Sequence, residues 1–116
     1  MSKSTWVLLC IFIGLILFKL QSGRRSAEEV SVMRKAVNDG GLLLDVRTPG
    51  EYNGGHLDGA LNIPVGDLRG RLQELGPKER AIVVYCASGG RSARATKFLR
   101  ANGFNEVHDL GSLSNW

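Results

Sequence analysis

The segment Ala81-Ile-Val-Val-Tyr85 is apolar at every position and too short to be a helix of its own. A run of that kind belongs in a strand buried on both faces, the environment of a parallel sheet covered by helices. Leu42-Leu-Leu-Asp-Val46 is a second run of strand length. Ala60-Leu-Asn-Ile63, stopped by Pro64, and Glu106-Val-His-Asp-Leu110 read as strands too. Helical patterns separate them. Ser26-Ala-Glu-Glu29 has capping-box spacing, Val30, Met33 and Val37 then recur on one face, and Asn38-Asp-Gly-Gly41 closes that helix. Arg47-Thr-Pro-Gly50 breaks the first strand, with room for a short helical turn around Glu51 and Tyr52. Leu68, Leu72 and Leu75 carry helical spacing as far as Gly76-Pro77, and a last helix is expected from about Arg91 to Asn102. Strands alternating with helices predict an α/β fold on a parallel sheet.

The chain divides at residue 25. Trp6 to Phe18 is an unbroken apolar run containing one glycine, and residues 26–116 form a single domain with a modest core. Ser4 to Gln21 as a helix spans about 27 Å, so residues 4–21 are expected to form a retained transmembrane anchor, with Lys3 and Lys19 reaching the two headgroup layers. The alternative is a signal segment removed on export, although no small-x-small site follows Phe18. Lys19, Arg24, Arg25, Arg34 and Lys35 outweigh Lys3, and the positive-inside rule then places the domain on the cytoplasmic side.

Charge narrows the partners. The first 25 residues hold four of the fifteen basic residues and none of the eleven acids, so the domain itself is balanced. Nothing in that distribution calls for a nucleic-acid partner. Cys10 lies in the apolar run and Cys86 deep in the domain, so no disulfide framework is expected. The sequence also shows no metal-ligand cluster and no cofactor motif.

Chemistry concentrates in Tyr85-Cys86-Ala-Ser-Gly-Gly-Arg91-Ser92. Cys86 falls at the carboxyl end of a strand, where ligands bind in open α/β sheets. Gly89 and Gly90 allow successive N–H groups to curl inward as an anion-binding nest, and the following helix adds the positive end of its dipole. Such groups stabilise a thiolate and lower the thiol pKa.

The wider pattern resembles the rhodanese family. Leu43-Leu-Asp45-Val-Arg47-Thr-Pro-Gly-Glu51-Tyr52 and Gly55-His56-Leu-Asp-Gly59-Ala60-Leu-Asn62-Ile63-Pro64 are similar to its two upstream signatures. Tyr85 to Ala95 is similar to its active-site loop and the helix that follows. The resemblance covers Ser26 to Trp116 and implies a rhodanese-like α/β fold, a five-stranded parallel sheet flanked by helices. It implies a sulfurtransferase in which Cys86 takes sulfane sulfur from a small donor such as thiosulfate, becomes a persulfide and passes the sulfur to a thiol or cyanide-like acceptor. No particular protein partner is indicated. One departure is Gly111-Ser112, where many members have a glycine pair.

Roles follow for single residues. The amides of Ala87, Ser88, Gly89, Gly90, Arg91 and Ser92 are expected to cradle the outer sulfur, with the Ser88 hydroxyl as a further donor. The Arg91 side chain either draws an anionic donor or is paired with a carboxylate. Asp45, Arg47, Glu51 and His56 are expected to support the loop, Arg47 and Glu51 by pairing across four residues. His56 is given a structural role rather than that of a base, because a thiolate already formed needs none. Two rivals remain open. Cell-cycle phosphatases of this fold have one more residue between Cys and Arg than the four, Ala87 to Gly90, found in this chain. A rhodanese-like module could also bind without turning over.

Overall fold

The computed structural model describes residues 3–116, for 14–22 the backbone only. Helix α1 spans Lys3–Ser22 and α2 Ala27–Asn38; β1 is Leu42–Asp45, α3 Pro49–Asn53 and β2 Leu61–Asn62. Two 3-10 helices, Val65–Gly70 and Leu72–Leu75, lead to β3, Ile82–Cys86. Helix α4, Gly90–Ala101, strand β4, Val107–Ser112, and a 3-10 turn, Leu113–Asn115, follow.

Among the described residues no helix is long and apolar enough to cross a membrane. The expected transmembrane anchor over residues 4–21 is therefore corrected, and with it the membrane association and the cytoplasmic-facing placement that depended on it. Length is the physical reason. The wholly apolar stretch of α1 is Trp6 to Phe18, which at 1.5 Å per residue reaches about 20 Å against a hydrocarbon core of roughly 30 Å. Ser4 and Thr5 supply polar, not apolar, length. The Lys19 side chain, expected to flank the segment, lies outside the described residues.

The sheet has four strands in the order β2-β1-β3-β4, and every pairing is parallel. The strands read from the residues are these four, and among the described residues the fifth implied by the family resemblance is not found. Beyond β4, where a further strand would pair, the Asp109 carbonyl takes a hydrogen bond from Arg25 Nε at 2.8 Å instead. A side chain thus closes part of the edge.

Period-two alternation distributes the core over both faces. Leu44, Ile82, Val84 and Cys86 pack with Ala95 and Leu99 of α4. Leu43, Val83 and Tyr85 pack with Val30 and Met33 of α2. The alternation decides where the reactive group lies, since Cys86 is the last residue of β3 to face α4. Helix α2 starts with the capping box read from the sequence, Ser26 Oγ accepting from Glu29 N at 3.1 Å and Glu29 Oε1 from Ser26 N at 3.2 Å.

The Leu68-Leu72-Leu75 segment departs from expectation. It forms two 3-10 pieces, because Arg71 leaves the helical conformation between them, at φ −131° and ψ 21°, and Gly66 and Gly70 weaken helix propagation. Leu68 and Leu75 are buried all the same. At the departure from the family pattern, Gly111 has a φ of +77° at a bulge in β4, whereas Ser112 is extended and its Oγ caps the last turn by accepting from Ser114 N at 3.2 Å. The second position therefore has no need of glycine.

Candidate active site

Cys86 ends β3 at 1% exposure, beneath a rim formed by Ala87, Ser88 and Gly90, all exposed. The turn that follows depends on Gly89, whose φ of +109° is a conformation that disfavours any side chain. That turn points the Gly89 N–H back at Cys86 Sγ, 3.0 Å away, and Ser92 N–H donates to the same sulfur at 3.4 Å. Ser92 Oγ pins the loop by donating to the Gly89 carbonyl at 3.0 Å. Gly90 and Arg91 occupy the first positions of α4, whose N–H groups have no partner within the helix. Burial is the largest single influence on the Cys86 thiol and pushes its pKa up. The donors from Ser92, Gly89 and Ser88 outweigh it together, and the thiol lies below its ordinary value.

Arg91 is committed to a carboxylate. Its Nη1 and Nη2 donate to Glu51 Oε1 and Oε2 at 2.6 and 2.9 Å. Glu51 also caps α3, Oε1 accepting from Thr48 N at 3.2 Å and from Thr48 Oγ1 at 3.1 Å. The Arg91 guanidinium, with Thr48 after it, holds the Glu51 carboxyl down at about 2. The expected Arg47–Glu51 pair is thus replaced by Arg91–Glu51. Arg47 lies ahead of α3, so the four-residue helical spacing never applied to it.

Arg47 instead turns back to Asp45, a fully buried carboxylate at the end of β1. Asp45 accepts from Arg47 N, Nε and Nη2 at 2.9, 3.1 and 2.7 Å. Arg47 Nη2 reaches on to the Gly55 carbonyl at 2.7 Å, and Asn62 Nδ2 bridges the carbonyls of Asp45 and Arg47 at 3.1 and 2.9 Å. The Tyr85 hydroxyl accepts from Leu57 N at 3.0 Å. Burial first, then the neighbouring Asp45 carboxylate, push its phenol up to about 12. These contacts tie the 55–59 loop to the ends of β1 and β3. His56 is exposed, stacked on Tyr52 at 3.7 Å, and its Nδ1 donates to the Tyr52 carbonyl at 2.9 Å. The Ser88 hydroxyl makes no hydrogen bond with the described residues.

The sequence reading overlooked Thr48, Asn62 and Tyr85. Thr48-x-x-Glu51 is itself a capping-box spacing and was there to be found. Nothing local marks the Tyr85 hydroxyl, whose partner lies 28 residues away. Among the described residues no group of three or more His, Cys, Asp or Glu could hold a metal ion.

Residues 26–116 match the sequence profile of the rhodanese-like domain. The chain belongs to the rhodanese-like domain family. A sulfurtransferase of Allochromatium vinosum is 40% identical over 76 residues, 65% of this chain and 70% of that protein. The uncharacterized protein YqhL of Bacillus subtilis is 41% identical over 75 residues, 64% of this chain, and the chain spans only 59% of its length. Among solved structures, the human single-domain sulfurtransferase TSTD1 aligns with a TM-score of 0.67 at 29% identity, covering 82% of this chain and 95% of that one. The rhodanese-like domain thus resembles small sulfurtransferases in both sequence and fold.

Proposed function

We propose that this rhodanese-like domain transfers sulfane sulfur through a persulfide on Cys86, from a donor such as thiosulfate to a thiol or cyanide-like acceptor. The observation that carries the reading is the pair of main-chain N–H groups, of Gly89 and Ser92, converging on Sγ. In the first half-reaction the Cys86 thiolate attacks the sulfane sulfur of the donor. A new S–S bond forms, the donor's S–S bond breaks, and sulfite leaves with the electron pair. In the second, an acceptor thiolate attacks the outer sulfur and the Cys86 thiolate departs, so no external oxidant or reductant is needed.

The same nest serves both steps, because each places negative charge on sulfur above the start of α4. The N–H groups of Ala87, Ser88, Gly90 and Arg91 are the donors for the outer sulfur. The Arg91 side chain, engaged by Glu51, acts by holding the loop. Asp45, Arg47 and His56 act through the backbone around it.

The test is mass spectrometry of the full chain after incubation with thiosulfate. A gain of one sulfur atom, removed by cyanide and absent in Cys86→Ser, is the expected result. No adduct with thiosulfate or with small persulfides would turn the reading toward a binding module, and aryl phosphate hydrolysis lost in Cys86→Ser would turn it toward a phosphatase.

A further inference from the structure

Helix α4 carries Arg91, Arg94, Lys97 and Arg100 and no acidic residue along its length. Gly90, Arg94 and Lys97 are separated by four and three residues, so they form a single stripe, and all three are exposed. Arg94 and Lys97 lie about 6 and 10 Å along the helix from Gly90, the rim of the Cys86 loop. Their charges are unanswered among the described residues. Arg91 is neutralised by Glu51, Arg47 by Asp45, Lys35 by Asp39 and Arg71 by Glu74. Among the described residues, Arg94 and Lys97 make no hydrogen bond, ion pair or ring contact. Arg100 uses Nη2 on the Val107 carbonyl, at 2.6 Å, and meets no carboxylate among the described residues.

Fold stability does not account for this arrangement. A helix dipole favours acids in its first turns and disfavours cations there, yet the first turn of α4 holds none of the former and Arg94 follows directly after it. Uncompensated cations running from the rim of a thiol loop suit a ligand that arrives with negative charge. A nucleic acid fits less well, since outside α4 the domain carries seven basic residues against eleven acidic ones and a single short stripe meets few phosphates.

We propose that the exposed face of α4 docks an acidic protein segment that carries the acceptor thiol. The proposal rests on the sulfur-transfer reading of Cys86. Acidic side chains of the segment lie against Arg94 and Lys97, and its cysteine reaches the loop at Gly90. The acceptor thiolate then bonds to the outer sulfur, the outer S–Sγ bond breaks, and its electron pair returns to Cys86.

Binding and transfer are measured separately on the full chain. Binding is followed by fluorescence anisotropy with a labelled glutamate-rich peptide in which serine replaces the single cysteine, beside a glutamine-rich counterpart. The glutamate peptide should bind about tenfold more tightly at low salt, lose that margin at high salt, and lose it in the Arg94→Gln/Lys97→Gln variant. Equal binding of the two peptides, or an undiminished margin in the variant, overturns the proposal. Tighter binding of a single-stranded oligonucleotide overturns it in favour of nucleic acid. Mass spectrometry of sulfur on Cys86 scores the transfer reading independently. With the cysteine-bearing peptides, the unloading rate should fall from wild type to variant for the glutamate peptide alone.

Discussion

Glu51 grips Arg91 through two parallel hydrogen bonds, at 2.6 and 2.9 Å, joining α3 to the first turn of α4 across 40 residues of sequence. The peptide unit after Arg91 carries the Ser92 N–H that points at Cys86 Sγ. The orientation of an N–H group that donates to Sγ is thus tied to a carboxylate on a different helix.

That pair has a pH signature. The Glu51 carboxyl is held at about 2, below its ordinary 4.5, so its contribution to stability is complete above about pH 4.5 and fades as the pH falls toward about 2. Glu51→Gln should therefore be less stable than wild type at neutral pH, and the gap should close between pH 4.5 and 2. Circular dichroism during acid unfolding of both proteins checks this. A gap constant down to the lowest pH would remove the ion pair from the account.

The thiol should titrate early. Alkylation of Cys86 by iodoacetamide is expected to have its midpoint below the value of about 8.5 for a free cysteine. Ser92→Ala keeps the main-chain N–H but loses the hydroxyl that pins the loop to the Gly89 carbonyl, and should move the midpoint upward. Rate against pH for the two proteins, with Cys86→Ser as the blank, is the measurement.

Gly89→Ala tests the turn. A Cβ there would have as its nearest neighbour Gly111 Cα at 3.9 Å, so space is available, and the cost arises from the φ of +109°. We expect a loss of about 1–2 kcal/mol in urea unfolding, together with slower sulfur uptake as the Gly89 N–H turns away from Sγ.

The Asp45–Arg47 pair should behave as a buried ion pair. Asp45→Asn leaves the Arg47 guanidinium, only 7% exposed, without its counter-charge, and should cost about 3 kcal/mol or more. Asp45→Asn/Arg47→Met should recover part of that loss. Denaturant melts of the single and double variants decide, and a double variant no better than the single would contradict the charge argument.

Much of this architecture was legible because its signals are local. The Ser26–Glu29 box marked the start of α2, apolar runs marked the four strands, and glycines beside Cys86 marked the nest. Where sequence reading failed, the deciding contact was distant or the helical period was assumed too far. Arg47 and Glu51 have helical spacing, but Thr48 caps α3 and leaves Arg47 outside it. Leu68, Leu72 and Leu75 have it too, yet two glycines and a non-helical Arg71 split the segment into 3-10 turns. The apolar run in α1 was extended by polar neighbours to the length of a membrane span, which its own thirteen residues do not reach. A fifth strand came from family resemblance alone, with no strand-like segment left to form it.

The groups that meet Cys86 Sγ are peptide N–H groups, and every residue but proline supplies one. Ala87 and Ser88, exposed on the rim, can therefore be exchanged over generations without dismantling the grip on sulfur. Selection is left free to remodel the doorway, and with it the choice of visitor, while the reactive floor stays the same. Gly89 is the exception, because its backbone conformation cannot be delegated to a bulkier residue without strain.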